Sequence, residues 1–475
     1  MKSHAITADL VIHGGQIVSP DAIISASIAI KNGEILAIGA ADAMPPAHDT
    51  LDATGLHILP GAIDVHVHFR DPGYPQKEDF ASGTAAAAFG GVTTVFDMPN
   101  TIPTIADKET LAEKHAIAST KAYVDYGFYG VLGEESLDHV HDLIEGGIIG
   151  FKLYMGNTFG KIATPSTGAM LELMEIVAPT GKRISLHAET NSVMVRRELR
   201  LRAAGKTAPL DHLKSRPAVV AVEAVERAAT LAEWTGARIH ILHISSAAEL
   251  RPLAEAKARG VDITGETCPQ YLMLSTEDYA RCGGVIRVNP PVREPENQEP
   301  IWRALQTGVI DNIATDHAPH SIEEKTRPDI WTVDCGFPGV ETQMPLMLTA
   351  CLQGRGSVCD YVRWSAFNPA KIWGLAPHKG SLTVGSDADI AIVDLNRPWT
   401  IDDTQTQSTA KISPWHGMKA TAQPIHTLVR GRFVMKNRVL QTDARGWGRS
   451  VHSIQAMPPA MPRNTDQTLA AVTAT

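Results

Sequence analysis

From about residue 60 to residue 379, short apolar runs alternate with Ala- and Glu-rich stretches of helical period such as Val219 to Trp234. This alternation constrains the fold more than any other feature, because it is the βα rhythm of a parallel barrel. Reactive groups in such a barrel belong at the C-terminal ends of the strands. The flanks read differently. Asp9-Leu10-Val11-Ile12-His13, Ile28-Ala29-Ile30 and Ile35-Leu36-Ala37-Ile38 are broken at Gly14-Gly15 and Lys31-Asn32-Gly33, which is hairpin patterning. It returns in Ala388 to Asp394 and in Ile425 to Val434. Neither half can bury a sheet face alone, so the two ends are expected to pair. The expected fold is α/β: a (β/α)8 TIM-type barrel over 60–379, a small β-sandwich formed by 1–59 with 380–445, and an extended C-terminal arm over 446–475. A chain of 475 residues suits that division.

Charge narrows the partners. The 43 Lys and Arg against 52 Asp and Glu leave a net charge of -9 spread along the chain, so neither nucleic acid nor a membrane surface is expected. Five cysteines without paired metal-ligand spacing read as reduced thiols. The start carries no signal-type stretch, and no apolar run reaches about 18 residues, so a cytoplasmic protein is expected. A small-molecule substrate and a homo-oligomer, dimer or tetramer, complete that expectation.

In Gly61-Ala62-Ile63-Asp64-Val65-His66-Val67-His68, period-two alternation sends His66 and His68 to one side of a strand, half of a metal site. Alone, the pair could be incidental. However, Phe151-Lys152-Leu153-Tyr154, Ser185-Leu186-His187-Ala188-Glu189, His240-Ile241-Leu242-His243 and Ile313-Ala314-Thr315-Asp316-His317 each carry a candidate ligand at or near the end of an apolar run. Singly, His187 and His243 could be satisfied core histidines, Asp316 a helix cap and Lys152 an ordinary strand-end lysine. Six positions in barrel order favour a site. His57, His115, His139, His141 and His212 lack such a setting and are expected at the surface, and His317 is expected to point away from the metals.

These segments resemble the amidohydrolase superfamily, and within it the cyclic amidases: dihydroorotases, allantoinases and hydantoinases. The resemblance runs to about residue 440. It implies two Zn2+ ions and a lysine carboxylated by carbon dioxide. His66, His68 and Asp316 would hold one ion and His187 and His243 the other, with carboxylated Lys152 bridging them. It also implies attack by a metal-bridging hydroxide, with Asp316 as catalytic proton shuttle to the leaving ring nitrogen. Other divalent metals suit the same donors.

Substrate choice rests on neighbouring residues. Phe69-Arg70-Asp71-Pro72-Gly73 and Phe96-Asp97-Met98-Pro99-Asn100-Thr101 look like dihydroorotase segments in which Arg70 and Asn100 grip a carboxylate. Arg70 could instead pair with Asp71 or Asp97. His320 is another carboxylate contact by resemblance, or a loop histidine. Thr158 and Phe159 resemble a loop that closes over substrate, while Asn157 stands where hydantoinases carry a tyrosine. Asn289 resembles a residue that meets the pyrimidine ring, or is a turn former. Against this, Glu266-Thr267-Cys268-Pro269-Gln270-Tyr271-Leu272 and Ser413-Pro414-Trp415-His416-Gly417-Met418 look more like allantoinases and hydantoinases. The expected activity is opening or closing of dihydroorotate, a pyrimidine-biosynthesis reaction that yields N-carbamoyl-L-aspartate. Allantoinase or hydantoinase/dihydropyrimidinase is the alternative, and a metal-free scaffold homologue the remote one.

Overall fold

The computed structural model describes residues 6–158, 160 and 162–452. At its centre eight parallel strands pair in sequence order: β1 (Ala62–Val67), β2 (Val92–Asp97), β3 (Asp125–Val131), β4 (Gly150–Tyr154), β5 (Arg183–His187), β6 (Arg238–Ile241), β7 (Ile263–Thr267) and β8 (Asn312–Ile313). The expected barrel is present. Its last seam, between β8 and β1, is closed largely by a side chain. Asp64 Oδ1 accepts from the backbone N–H groups of His66 and Thr315 at 3.2 and 3.1 Å, and Oδ2 accepts from the Thr315 hydroxyl at 2.5 Å. A carboxylate here stands in for a ladder carbonyl, and burial raises its pKa to about 6. Beyond it, the His68 N–H donates to the His317 carbonyl at 2.7 Å, so the seam is stitched just below the strand ends that carry the site.

The helix foreseen between Val219 and Trp234 spans Ala218–Thr235 and stops at Gly236, whose φ of 72° lets the chain turn away. Val220, Ala224, Val225, Ala228 and Ala232 recur at helical spacing on its buried face, and the small side chains let it close on the barrel.

The β-rich second unit joins both ends of the chain. His57–Pro60 lies between Ile390–Asp394 and Gln16–Val18 in a seven-stranded sheet, which packs on a four-stranded sheet containing Ala8–His13, Ser27–Lys31 and Glu34–Gly39. Asn32 and Gly33, at φ 53° and 84°, make the tight turn of the Ser27–Gly39 hairpin, as its sequence suggests. Gly14 marks where the chain leaves one sheet for the other. Its φ is 74°, and a Cβ there would lie 2.4 Å from the Thr54 hydroxyl. Ile12, Ile28, Ile58, Ile390 and Ile392 are buried between the sheets, each contributing about 1.5–3 kcal/mol.

Barrel and sandwich are tied by charge. Lys379 Nζ lies 2.7, 3.0 and 2.5 Å from Asp125, Asp387 and Asp389, and Arg430 also pairs with Asp125. Of the C-terminal arm, 446–452 are described: Val451 N–H donates to the Tyr126 carbonyl at 2.9 Å, alongside β3. The remainder lies outside the described residues, among which no helix is long and apolar enough to cross a membrane.

Candidate metal centre and substrate cleft

Alternation along β1 turns His66 into the barrel, and His68 follows one residue past the strand end. Lys152 lies in β4, His187 ends β5, His243 lies two residues past β6 and Asp316 three past β8. All six are buried. His66 Nε2 and His68 Nε2 lie 3.2 and 3.1 Å from the same oxygen, Asp316 Oδ1. His187 Nδ1 and His243 Nε2 face each other at 2.9 Å, and the His243 ring centroid is 5.4 Å from that of His66. Arg70, His243 and Asp316 have φ of 57°, 40° and 51°. Non-glycine residues in this region cost about 1–3 kcal/mol each, strain that collects where function needs a particular orientation.

The outward-facing ring nitrogens explain the inward-facing ones. His66 Nδ1 meets Glu266 Oε1 at 2.7 Å, His68 Nδ1 meets Asn100 Oδ1 at 2.7 Å, and His187 Nε2 meets Glu189 Oε2 at 2.9 Å. Each acceptor draws the ring proton outward and leaves a bare nitrogen inside, the tautomer a metal ligand requires. Burial, then the Lys152 ammonium, pushes His66 well below the ordinary imidazole range. Glu189 is itself paired with Arg216, which holds its carboxyl down at about 2 despite burial. Glu266 also takes His240 Nε2 at 3.1 Å. Neither Glu189 nor Glu266 was assigned a role from sequence, although both stand in the quoted strand-end segments.

Lys152 is 1 % exposed, and among the described residues its ammonium has no hydrogen-bond or ion-pair partner. Its Nζ lies 4.8 Å from the Tyr154 ring centroid. Burial lowers its pKa to about 7, which favours the neutral amine.

Beside this cluster opens a narrow cleft lined by His68, Arg70, Asn100, Thr158, Asn289 and Asp316. Four sequence-predicted substrate contacts, Arg70, Asn100, Thr158 and Asn289, therefore meet there. Two do not. His320 is fully buried one layer behind Arg70: its Nε2 lies 3.2 Å from Arg70 Nη2 and 3.0 Å from the Cys335 carbonyl, and Lys77 donates to its Nδ1 at 3.1 Å. Phe159 lies outside the described residues. The carboxylates considered as partners of Arg70 are engaged elsewhere, Asp71 with Lys121 at 2.7 Å and Asp97 with Lys114 at 2.5 Å. His212, expected at the surface, is 2 % exposed and contacts Asn289. His317 turns away as expected, its Nδ1 accepting from the Gly339 N–H at 3.1 Å.

Barrel and site together define a hydrolase class, and comparison with known proteins agrees. Residues 57–434 match the model of the Amidohydrolase family. An allantoinase of Deinococcus radiodurans is 35% identical over 444 residues, covering 93% of this chain and 98% of the relative. An L-hydantoinase of Paenarthrobacter aurescens is 34% identical over 448 residues, with 93% and 98% covered. The solved L-hydantoinase (dihydropyrimidinase) of Arthrobacter aurescens superposes with a TM-score of 0.90 at 33% identity, over 93% of this chain and 99% of that one. This chain belongs to the Amidohydrolase family. It is a cyclic amide hydrolase with buried groups suited to metal. The expected closeness to dihydroorotase finds no support in these relatives, whose names fit the alternative, allantoinase or hydantoinase, better than the reading drawn from Arg70 and Asn100.

Proposed function

We propose that this protein hydrolyses a cyclic ureide of the allantoin or hydantoin kind, adding water across a ring amide to leave an acid that carries a ureido group. One observation carries the reading: His66 and His68 converge on Asp316, with His187 and His243 facing each other beside them, at the rim of the cleft that Arg70 and Asn289 line.

The donor set fits two divalent ions. Four imidazoles have their acceptor nitrogens inside, three of them with the outer nitrogen held by a hydrogen-bond acceptor, and one carboxylate stands between the first two. Lys152 fits as the bridge only after its amine has added to carbon dioxide with loss of a proton, since an ammonium repels cations whereas the carbamate is an anionic oxygen donor. In this reading His66, His68 and Asp316 would hold one ion and His187 and His243 the other, with carboxylated Lys152 as the ligand they would share; zinc suits these nitrogen and oxygen donors. Ions bound there would supply Lewis-acid chemistry, acidifying a water and polarising the amide carbonyl. Asp316 would accept the proton released as water attacks the ring carbonyl and return it to the departing ring nitrogen. Arg70 and Asn289 hold the ring in register with Asp316.

Arg70 favours a second reading, a ring bearing a carboxylate such as dihydroorotate, because a guanidinium fork matches that group. Parallel assays of the zinc-loaded enzyme with allantoin, hydantoin, dihydrouracil and dihydroorotate, repeated with Arg70→Ala, separate the two. Turnover of a neutral ring with a small Arg70→Ala effect supports the first. Dihydroorotate as best substrate, with a preference that falls by the roughly 1.5–3 kcal/mol of a charge-assisted bond, supports the second.

A further inference from the structure

His212, on the helix Pro209–Ser215, lies 77 positions from Asn289 in sequence, yet its Nε2 is 2.9 Å from Asn289 Oδ1. Both residues are buried, and Asn289 lines the cleft beside Asp316 and Arg70. The proposed chemistry leaves His212 without a task. Its other ring nitrogen, Nδ1, has no hydrogen-bond partner among the described residues.

A neutral imidazole carries one N–H. With the proton on Nε2, the 2.9 Å contact is a hydrogen bond into the amide oxygen, and Nδ1 is left as a bare acceptor. With the proton on Nδ1, a donor is orphaned in the interior and two acceptors face each other. Orphaned buried donors are the rarer and costlier case, so the first arrangement wins. Burial, reinforced by the Arg287 and Arg216 charges, keeps the ring neutral. Once Oδ1 is held, the planar amide turns Nδ2 to the opposite side. Among the described residues Asn289 has no other hydrogen-bond partner, so its NH2 remains for a ligand.

We infer that His212 is a positioning residue that locks the Asn289 amide with its NH2 offered to the cleft, so that substrates must present a carbonyl oxygen there. The inference rests on the cleft being the binding place of the cyclic ureide. It makes Asn289 a selector of acceptor-bearing rings and extends the specificity apparatus to a residue that does not line the cleft.

Two measurements on the metal-loaded protein test it. In nitrogen NMR of histidine-labelled protein, the signal lost in His212→Gln should belong to an Nε2–H tautomer; an Nδ1–H tautomer overturns the inference whatever the substrate is. In kinetics with the best cyclic ureide, His212→Leu should raise KM about 3- to 10-fold, the size of one neutral hydrogen bond, with kcat little changed. His212→Gln, whose side-chain amide can donate to Oδ1, should recover most of that loss. Asn289→Asp, which can only accept, should bind at least as poorly as His212→Leu. A fall in kcat at constant KM, or equal damage from the Leu and Gln variants, overturns the positioning role. Failure of the wild type on every cyclic ureide refutes the substrate reading instead, and the tautomer still decides the amide lock.

Discussion

His68 Nδ1 lies 2.7 Å from Asn100 Oδ1, so the asparagine that sequence reading assigns to the substrate gives its carbonyl oxygen to a histidine. The contact selects the tautomer with a bare Nε2 facing Asp316. Asn100→Leu should therefore weaken metal binding about 10- to 100-fold, the usual cost of losing such a partner, while Asn100→Asp keeps the acceptor and the metal. Metal content after dialysis against graded chelator measures this. Unchanged metal affinity with a raised KM would make Asn100 a substrate contact alone.

Asp316 sits between the imidazoles of β1 and the cleft, and its φ of 51° fixes where the carboxylate points. Asp316→Asn keeps the shape but not the basicity. Activity should fall by at least about 10²-fold, as expected for loss of a general acid–base group, with circular dichroism unchanged. Turnover within about tenfold of wild type would exclude the proton-shuttle role.

Lys379 holds three carboxylates from two structural units together. Lys379→Met leaves them facing one another, with Arg430 beside Asp125 and Arg449 beside Asp387 as the remaining nearby cations. Breaking a buried pair in this way costs about 3–5 kcal/mol, so thermal unfolding should begin well below that of wild type. Adding Asp387→Asn and Asp389→Asn should recover part of the loss; if it does not, charge is not what the lysine contributes.

Glu341 gives the pH dependence. Burial raises its carboxyl from 4.5 to about 7, while its Oε2 accepts from the Gln407 N–H at 2.7 Å. The folded form then binds more protons than the unfolded form between those values, so this residue makes stability fall as pH rises through that window. The loss is of the order of 1–3 kcal/mol. Glu341→Gln keeps an acceptor and removes the titration. The variant's stability advantage in parallel melts should therefore grow from pH 4.5 to 7 and level off above; a constant difference would show that the carboxyl ionises freely in the fold.

The six inward-facing residues were legible because each depends on local geometry. Alternation along β1 aims His66 into the barrel, and Lys152, His187, His243 and Asp316 stand in or just past strands that the apolar runs reveal. The helix at Ala218–Thr235 and the turn at Asn32-Gly33 were legible for the same reason: helical period and turn chemistry act within a few residues.

Other features depended on partners far away in the chain. Glu266 finds His66 across 200 residues, Asn100 finds His68 across 32 and His212 finds Asn289 across 77. His320 stands four residues past Asp316, yet packing seats it behind Arg70. The sequence by itself determined which strands form and which chemical groups stand at their ends, since side-chain alternation and apolar periodicity are properties of adjacent residues. Only the tertiary structure decided which nitrogen of each histidine is bare and which amide faces the cleft, because a buried ring takes its tautomer from whatever acceptor the closed barrel brings against it.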